Sequence, residues 1–131
     1  MDKIIWNEVL GISDREKEDL CFAGYSYIRQ GHYDTAMTFF EALSILEPEN
    51  AYYLKTLGAL YLEKKNDLMA LNYIEKSLRY SPDHPQALLN RAKALFSLGY
   101  KKQAIVQSQK LATHSDETIA NSATALLLAY T

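Results

Sequence analysis

The side chains that most often carry chemistry are few in this sequence and far apart. His32, His84 and His114 lack the close spacing of metal ligands, and each falls at an expected turn or helix end. Cys21 is the single cysteine, so it forms no disulfide within the chain, and no local basic residue would obviously lower its pKa. We therefore expect no metal site, and a thiol that is structural or lines a groove rather than a nucleophile.

Glycines and acidic residues add no catalytic pattern. The five glycines form neither a phosphate-binding loop nor a dinucleotide fingerprint. Acidic pairs such as Glu47 with Glu49 stand at expected helix ends, where they favour solubility. Because an active site needs titratable groups that converge in one pocket, the sequence predicts a protein that is not an enzyme and needs no cofactor.

Composition and charge argue against several further classes. The chain has 131 residues and a net charge of −2, without the basic stripe that nucleic acid or an anionic membrane would require. No apolar run approaches the roughly 20 residues of a membrane span. The apolar stretch near the N-terminus is broken by Asn7 and Glu8, unlike that of a signal peptide. We expect a single cytoplasmic domain, residues 1–131.

The elements that position these residues follow an ungapped repeat of 34 residues, a period typical of helix-turn-helix solenoids. Glycine and alanine recur at positions 8 and 20 of the first two windows, and larger apolar residues recur at positions 4, 11 and 24. The third window is looser, because Ala92, Ser108 and Asp116 stand where glycine, a large apolar residue and proline are expected. The windows are 17–50, 51–84 and 85–118.

This spacing has a packing explanation. Small residues suit the crossing of the two helices of a repeat, so we expect Gly24 near Ala36 and Gly58 near Ala70. Proline lacks an amide donor and disfavours helix in the residue before it. Pro48 and Pro82 are therefore expected to lie beyond the ends of the second helices.

Together these positions resemble the tetratricopeptide repeat, and the resemblance covers residues 17–118. It implies an all-α fold, a right-handed solenoid of three helical hairpins. A C-terminal capping helix over 117–130 is expected to cover the third repeat with Ile119, Ala123, Leu126, Leu127 and Tyr130, since terminal repeats need such a cover.

The N-terminal flank, residues 1–16, carries an apolar cluster that must be buried. Ser13 and Glu16 form a capping box, which predicts that the first helix starts near Asp14. Preceding residues either fold back on the first repeat or form a homodimer contact. The side chains concerned are Ile5, Trp6, Val9 and Leu10.

In tetratricopeptide proteins the first helix of each repeat lines a concave groove, and positions 2, 5, 9, 12 and 13 point into it. The resemblance therefore implies a partner-binding groove that is largely apolar or aromatic, with Glu18 and Glu63 among its rim charges. The predicted groove residues are Cys21, Tyr25, Ile28, Arg29, Tyr52, Lys55, Ala59, Leu62, Leu89, Lys93 and Phe96. Members of the family that dock heat-shock proteins clamp a terminal carboxylate with lysine and asparagine, whereas Cys21, Tyr25 and Thr56 stand at those positions here.

A narrower resemblance rests on the run from Gly24 to Ala36 and its continuation to Pro48. This run is similar to the first repeat of the three-repeat chaperones of bacterial type III secretion systems. That resemblance implies a cytoplasmic bacterial protein that holds a hydrophobic secreted subunit soluble before export, either a translocator or a needle protein. The local run favours the translocator class, whereas the short N-terminal flank favours the needle class, which often works with a second small partner. The alternative is a generic scaffold or adaptor of the same fold.

Overall fold

The computed structural model describes residues 11–131, and within that range it contains seven helices and no strand. The predicted all-α class is confirmed. The expected N-terminal contact through Ile5, Trp6, Val9 and Leu10 lies outside the described residues. The helices are α1 (Asp14–Arg29), α2 (Tyr33–Leu46), α3 (Ala51–Glu63), α4 (Asp67–Tyr80), α5 (Pro85–Leu98), α6 (Lys101–Leu111) and α7 (Glu117–Tyr130).

Local sequence signals set the helix ends. The Ser13 hydroxyl accepts a hydrogen bond from the Glu16 amide, and the Glu16 carboxylate accepts one from the Ser13 amide, as the capping box predicts. Helix α2 ends two residues before Pro48, and α4 ends two residues before Pro82. Asp116 accepts a hydrogen bond from the Thr118 amide at 2.9 Å and so caps α7.

The helices pack as a solenoid. Each helix contacts the next along the chain, α3 also contacts α5, and α5 also contacts α7. The first helices of successive hairpins, α1, α3 and α5, thus share one face of the molecule. Helix α7 closes the far end, where Ile119 and Ala123 pack with Leu89 and Leu111 in one buried cluster.

In the first two hairpins, the glycine at position 8 lies against the residue at position 24. A Cβ atom added to Gly24 would lie 2.7 Å from Phe40 Cε2, and one added to Gly58 would lie 2.6 Å from Ile74 Cγ1. The expected neighbour of Gly58 is also present, since the Ala70 carbonyl oxygen is 3.4 Å from that position. At Gly24 the three nearest atoms belong to Phe40 and Phe39, so the Phe40 ring fills this space, and the proximity of Gly24 to Ala36 stays a prediction.

The looser third hairpin has small residues at both of these positions. Ala92 stands at position 8 and Ser108 at position 24, and both residues are fully buried. The Ser108 hydroxyl has no hydrogen-bond partner in the described part of the chain. The departure from the repeat pattern therefore replaces a large apolar residue by a small one and leaves one buried polar group unsatisfied.

Candidate binding groove

A concave cavity of about 670 Å³ opens between α1, α3, α5 and the last turn of α7. It combines apolar surface, from residues such as Ile28, Leu62 and Leu126, with several charged groups. Six of the eleven predicted groove residues line it: Tyr25, Ile28, Lys55, Ala59, Leu62 and Lys93.

The end of the cavity near α1 is aromatic. Tyr25 is half-buried, and its ring meets Phe40 edge-on with centroids 5.5 Å apart. The Tyr52 ring lies 5.7 Å from Tyr25 and is 40% exposed, so it forms the rim rather than the lining. Burial raises the pKa of the Tyr25 hydroxyl, which therefore stays protonated and able to donate a hydrogen bond at neutral pH.

Lys55 stands beside this aromatic pair. Its ammonium nitrogen lies 4.7 Å from the centroid of the Tyr52 ring, within the range of a cation–π interaction. Burial lowers the pKa of the Lys55 ammonium. The positive charge of Lys55 also contributes, after burial itself, to lowering the pKa of His84.

Two predicted groove residues are not accessible from the cavity. Leu89 is 2% exposed and belongs to the cluster that α7 covers. Phe96 is 6% exposed, and the Tyr130 ring stacks on it with centroids 4.4 Å apart and planes inclined by 9°. The positional pattern failed at these residues because it describes an open face, whereas α7 folds onto the third repeat.

Cys21 and Arg29 also lie off the cavity. Cys21 is partly buried and packs against the core between the first two repeats, where burial raises the pKa of its thiol. A raised pKa favours the neutral thiol over the nucleophilic thiolate. The Arg29 guanidinium lies over the exposed Phe22 ring, 5.9 Å from its centroid, and donates to Ser26. Arg29 therefore lies on the face of α1 that carries Phe22 and Ser26, and not on the face that carries Tyr25 and Ile28.

Sequence reasoning missed several residues that line the cavity. Tyr33, Lys65 and Asp67 come from interhelical turns or the helix starts beside them, which the groove positions of the family do not include. Leu126 and Tyr130 were expected only as a cover for the third repeat. Asn90 stands at position 6, which the groove positions of the family do not include either.

The three histidines lie at helix ends or in a turn. His84 caps α5 through Nδ1, which accepts from the Ala87 amide at 3.3 Å, and His114 Nδ1 accepts from the Asp116 amide at 2.9 Å. His32 occupies the residue before α2. No group of three or more potential metal ligands converges within residues 11–131. Over the same range, no helix is long and apolar enough to cross a membrane.

The family model described as tetratricopeptide repeat matches residues 20–50 and 51–84. No curated protein matches the chain. Among solved structures, PcrH in complex with the chaperone binding region of PopD is 26% identical, with a TM-score of 0.81, and the match covers 92% of this chain and 94% of that one. A second structure identifies PcrH as a protein of Pseudomonas aeruginosa.

Two further structures share the fold at lower identity. The type III secretion translocator chaperone SycD of Yersinia enterocolitica is 18% identical, with a TM-score of 0.78, and the match covers 94% of this chain and 96% of that one. The first repeat domain of Spaghetti (RPAP3), bound to an HSP90 peptide, is also 18% identical, with a TM-score of 0.77, and the match covers 90% and 95% of the two chains. At this identity, the likeness concerns the fold.

Proposed function

We propose that this chain, whose residues 20–84 match the tetratricopeptide repeat, is a non-enzymatic chaperone of a type III secretion system. In this proposal it binds a hydrophobic secreted subunit and keeps it soluble before export. The observation that carries the proposal is the likeness to PcrH in complex with the chaperone binding region of PopD, over 92% of this chain.

The groove supports this function physically. Hydrophobic subunits self-associate because burying apolar surface is favourable. A groove with exposed tyrosine rings competes for the same surface, since aromatic side chains combine a large apolar area with a polar tip. Tyr25 and Tyr52 offer such rings at one end, with Ile28 and Leu62 along the cavity. An extended segment that covers about 800 Å² here would form an interface of standard size.

We favour the translocator class of cargo over the needle class. PcrH is also solved with the chaperone binding region of PopB, at 25% identity to this chain, and SycD is described as a translocator chaperone. These neighbours favour the same class as the sequence run from Gly24 to Ala36 does. A homodimer contact through Ile5, Trp6, Val9 and Leu10 and a small co-chaperone both remain predictions. So does a location in the bacterial cytoplasm.

A generic adaptor for a folded or C-terminal partner is the second candidate. The observation that favours it is the fold likeness to the Spaghetti domain bound to an HSP90 peptide, with a TM-score of 0.77. Tyr25 replaces the asparagine of the carboxylate clamp, and its ring is packed against Phe40. The terminal carboxylate clamp of that class therefore has no equivalent in the first repeat.

Co-expression with the candidate cargo tests the proposal. A secretion chaperone is commonly encoded beside its cargo, so the probes are the hydrophobic proteins encoded next to this chain. We expect such a protein to be insoluble when expressed alone and to co-purify in soluble form with this chain as a defined complex. Solubility of every neighbour without this chain, or failure of each insoluble neighbour to become soluble, would contradict the chaperone function.

The matched control separates the groove from the rest of the surface. Tyr25→Ala with Tyr52→Ala removes the aromatic end of the groove, whereas Tyr80→Ala with Tyr100→Ala removes two tyrosines that are 49% and 55% exposed and do not line it. We expect only the first pair to abolish soluble co-purification. An equal loss with both pairs would place the interface elsewhere.

A further inference from the structure

The middle of the groove contains a polar corner that the proposed function does not use. Lys55 from α3 and Gln86, Asn90 and Lys93 from α5 line the same cavity. Gln86 Nε2 donates to Asn90 Oδ1 at 3.1 Å. This bond occupies the carbonyl of Asn90 and leaves its amide nitrogen, which makes no hydrogen bond in the described part of the chain, as a donor toward the groove.

Within residues 11–131, the two lysines of this corner have no carboxylate partner. Ion pairs within residues 11–131 join Lys17 to Asp14, Lys64 to Asp34 and Arg91 to Glu75, and neither Lys55 nor Lys93 takes part in one. Lys55 is only partly solvated, which lowers the pKa of its ammonium, and its charge also reaches His84. A half-buried cation without a counter-charge costs free energy that a bound anion would offset.

The acidic groups of the same cavity lie away from Lys55. Glu63 and Asp67 also line the groove. Glu63 follows Lys55 by eight residues on α3, which is about 12 Å along the axis of a helix. The cationic corner at Lys55 is therefore separate from the acidic end at the turn between α3 and α4, and Lys93 forms no ion pair with that end within residues 11–131.

Apolar surface continues on both sides of the cationic corner. Tyr25 and Ile28 lie on the α1 side, and Leu126 and Tyr130 lie on the α7 side. A bound chain that uses both surfaces must pass over the corner rather than end there. Charge complementarity then calls for an acidic side chain within the segment.

We propose that the groove recognises a peptide segment with an aspartate or glutamate between apolar residues, and that this carboxylate binds between Lys55 and Lys93 with Asn90 as a further donor. The inference rests on the proposed function, because it names the chemistry of the segment that the chaperone holds. Charge-assisted hydrogen bonds are stronger than neutral ones, so loss of the carboxylate should weaken binding about tenfold or more.

Selection from a random peptide library tests the inference without knowledge of the cargo. The peptides are displayed at the N-terminus of a phage coat protein, so that none carries a free C-terminal carboxylate. We expect the full chain to enrich peptides with one acidic residue flanked by apolar residues. The Lys55→Gln, Lys93→Gln variant should still enrich apolar peptides but without the acidic residue.

A double-mutant cycle then measures the contact. An enriched peptide is synthesised with blocked termini, together with its Glu→Gln or Asp→Asn counterpart, and both are titrated into the full chain and the variant. The neutral peptide should bind the full chain about tenfold more weakly than the acidic one, whereas the variant should bind both alike. Lys101→Gln with Lys102→Gln, which removes the same charge from exposed positions of α6, should keep the tenfold preference.

The outcomes distinguish this inference from the proposed function. Enriched apolar peptides that compete for the groove but show no acidic preference would overturn the inference and leave the chaperone function standing. If peptides bind only when synthesised with a free terminal carboxylate, the groove recognises a chain end, and the proposal of an internal acidic residue is wrong. If Lys101→Gln with Lys102→Gln removes the acidic preference as fully as the variant of Lys55 and Lys93 does, the net charge of the protein explains the preference. The cationic corner would then not be a specific binding site. Absence of any groove-binding peptide would overturn both proposals.

Discussion

The first two repeats and the third fill the helix crossing in different ways. Gly24 and Gly58 leave room on the first helix for Phe40 and Ile74 of the second. The third repeat has Ala92 and Ser108 at these positions, and both are fully buried although together they are smaller. The comparison teaches that side chains outside positions 8 and 24 must fill the remaining space in the third repeat, because protein interiors are close-packed.

The same repeats also differ in how far their aromatic groove residues are exposed to solvent. Tyr25 and Tyr52 of the first two repeats remain partly open to the groove. Phe96 of the third repeat is covered by Tyr130, because the last repeat has no following repeat to pack against. The open aromatic surface thus belongs to the first half of the molecule, and variants of that half should affect binding most.

The largest effect is expected from the open tyrosines. Tyr25→Ala with Tyr52→Ala should weaken binding of a hydrophobic cargo segment by about 3 kcal/mol, with the larger share from Tyr25, since aromatic anchors inside an interface contribute about 2 kcal/mol or more each and residues at its rim contribute less. The Tyr25 ring also contacts Phe40, so a small loss of thermal stability is expected as well. Calorimetric titration of the segment, with circular dichroism of each variant, measures both effects.

Tyr80→Ala with Tyr100→Ala is the control for this prediction, and it should leave binding unchanged. Full retention of binding in the groove variant would move the interface away from the concave face. Loss of binding that tracks loss of helicity would instead assign both tyrosines to the core.

Gly58→Leu should destabilise the fold by about 3 kcal/mol. Even its Cβ would lie 2.6 Å from Ile74 Cγ1, and Ile74 is fully buried. Urea unfolding followed by circular dichroism gives the free energy. The control is Ala59→Leu at the neighbouring exposed position, which should change stability little. A thermal midpoint of Gly58→Leu within a degree of the wild type would show that the crossing is not tightly packed.

Placing the residues of the second repeat at these positions of the third tests the comparison directly. Ser108→Ile should cost about 2 kcal/mol, because Ser108 is fully buried and a larger side chain would overpack its surroundings. Adding Ala92→Gly should recover about 1 kcal/mol of that cost, although glycine by itself weakens a helix by about 1 kcal/mol. Additive losses in a double-mutant cycle of unfolding free energies would show that the two positions are not coupled.

Ser108→Ala is the matched control for this exchange. It removes a buried hydroxyl that has no partner among residues 11–131, so stability should stay the same or rise slightly. A loss of more than about 1 kcal/mol would reveal a hydrogen bond of this hydroxyl, for example to a buried water.

The smallest effect concerns the turn between the helices of each hairpin. Position 15 has a positive φ in all three repeats, at Gly31 (79°), Lys65 (62°) and Gly99 (90°). Lys65→Gly should raise stability by about 0.5 kcal/mol, because a left-handed conformation is strained for lysine. Gly99→Lys should lower stability by about 1 kcal/mol. Thermal unfolding measures the stability of both variants. A stability change of the same sign in the two variants would contradict a shared requirement for a left-handed backbone at position 15.

Local signals in the sequence predicted much of the architecture. The ungapped period of 34 residues, the capping box at Ser13 and the prolines at 48 and 82 located the helices, because each acts through backbone geometry within a few residues. Positions 5, 9 and 12 also predicted six residues of the cavity, including Tyr25, Lys55 and Leu62. These positions share one helix face, and the helix period alone determines such a face.

Tertiary packing determined the features of the groove that the 34-residue period does not specify. It covered Phe96 and Leu89 with α7, placed Asn90 and Lys93 in the same cavity as Lys55, and left the lysines without a carboxylate partner within residues 11–131. Each of these facts depends on how far one element approaches another across the groove. A repeat pattern specifies each hairpin separately, whereas the exposure and the counter-charge of a groove residue are set by neighbours distant in sequence.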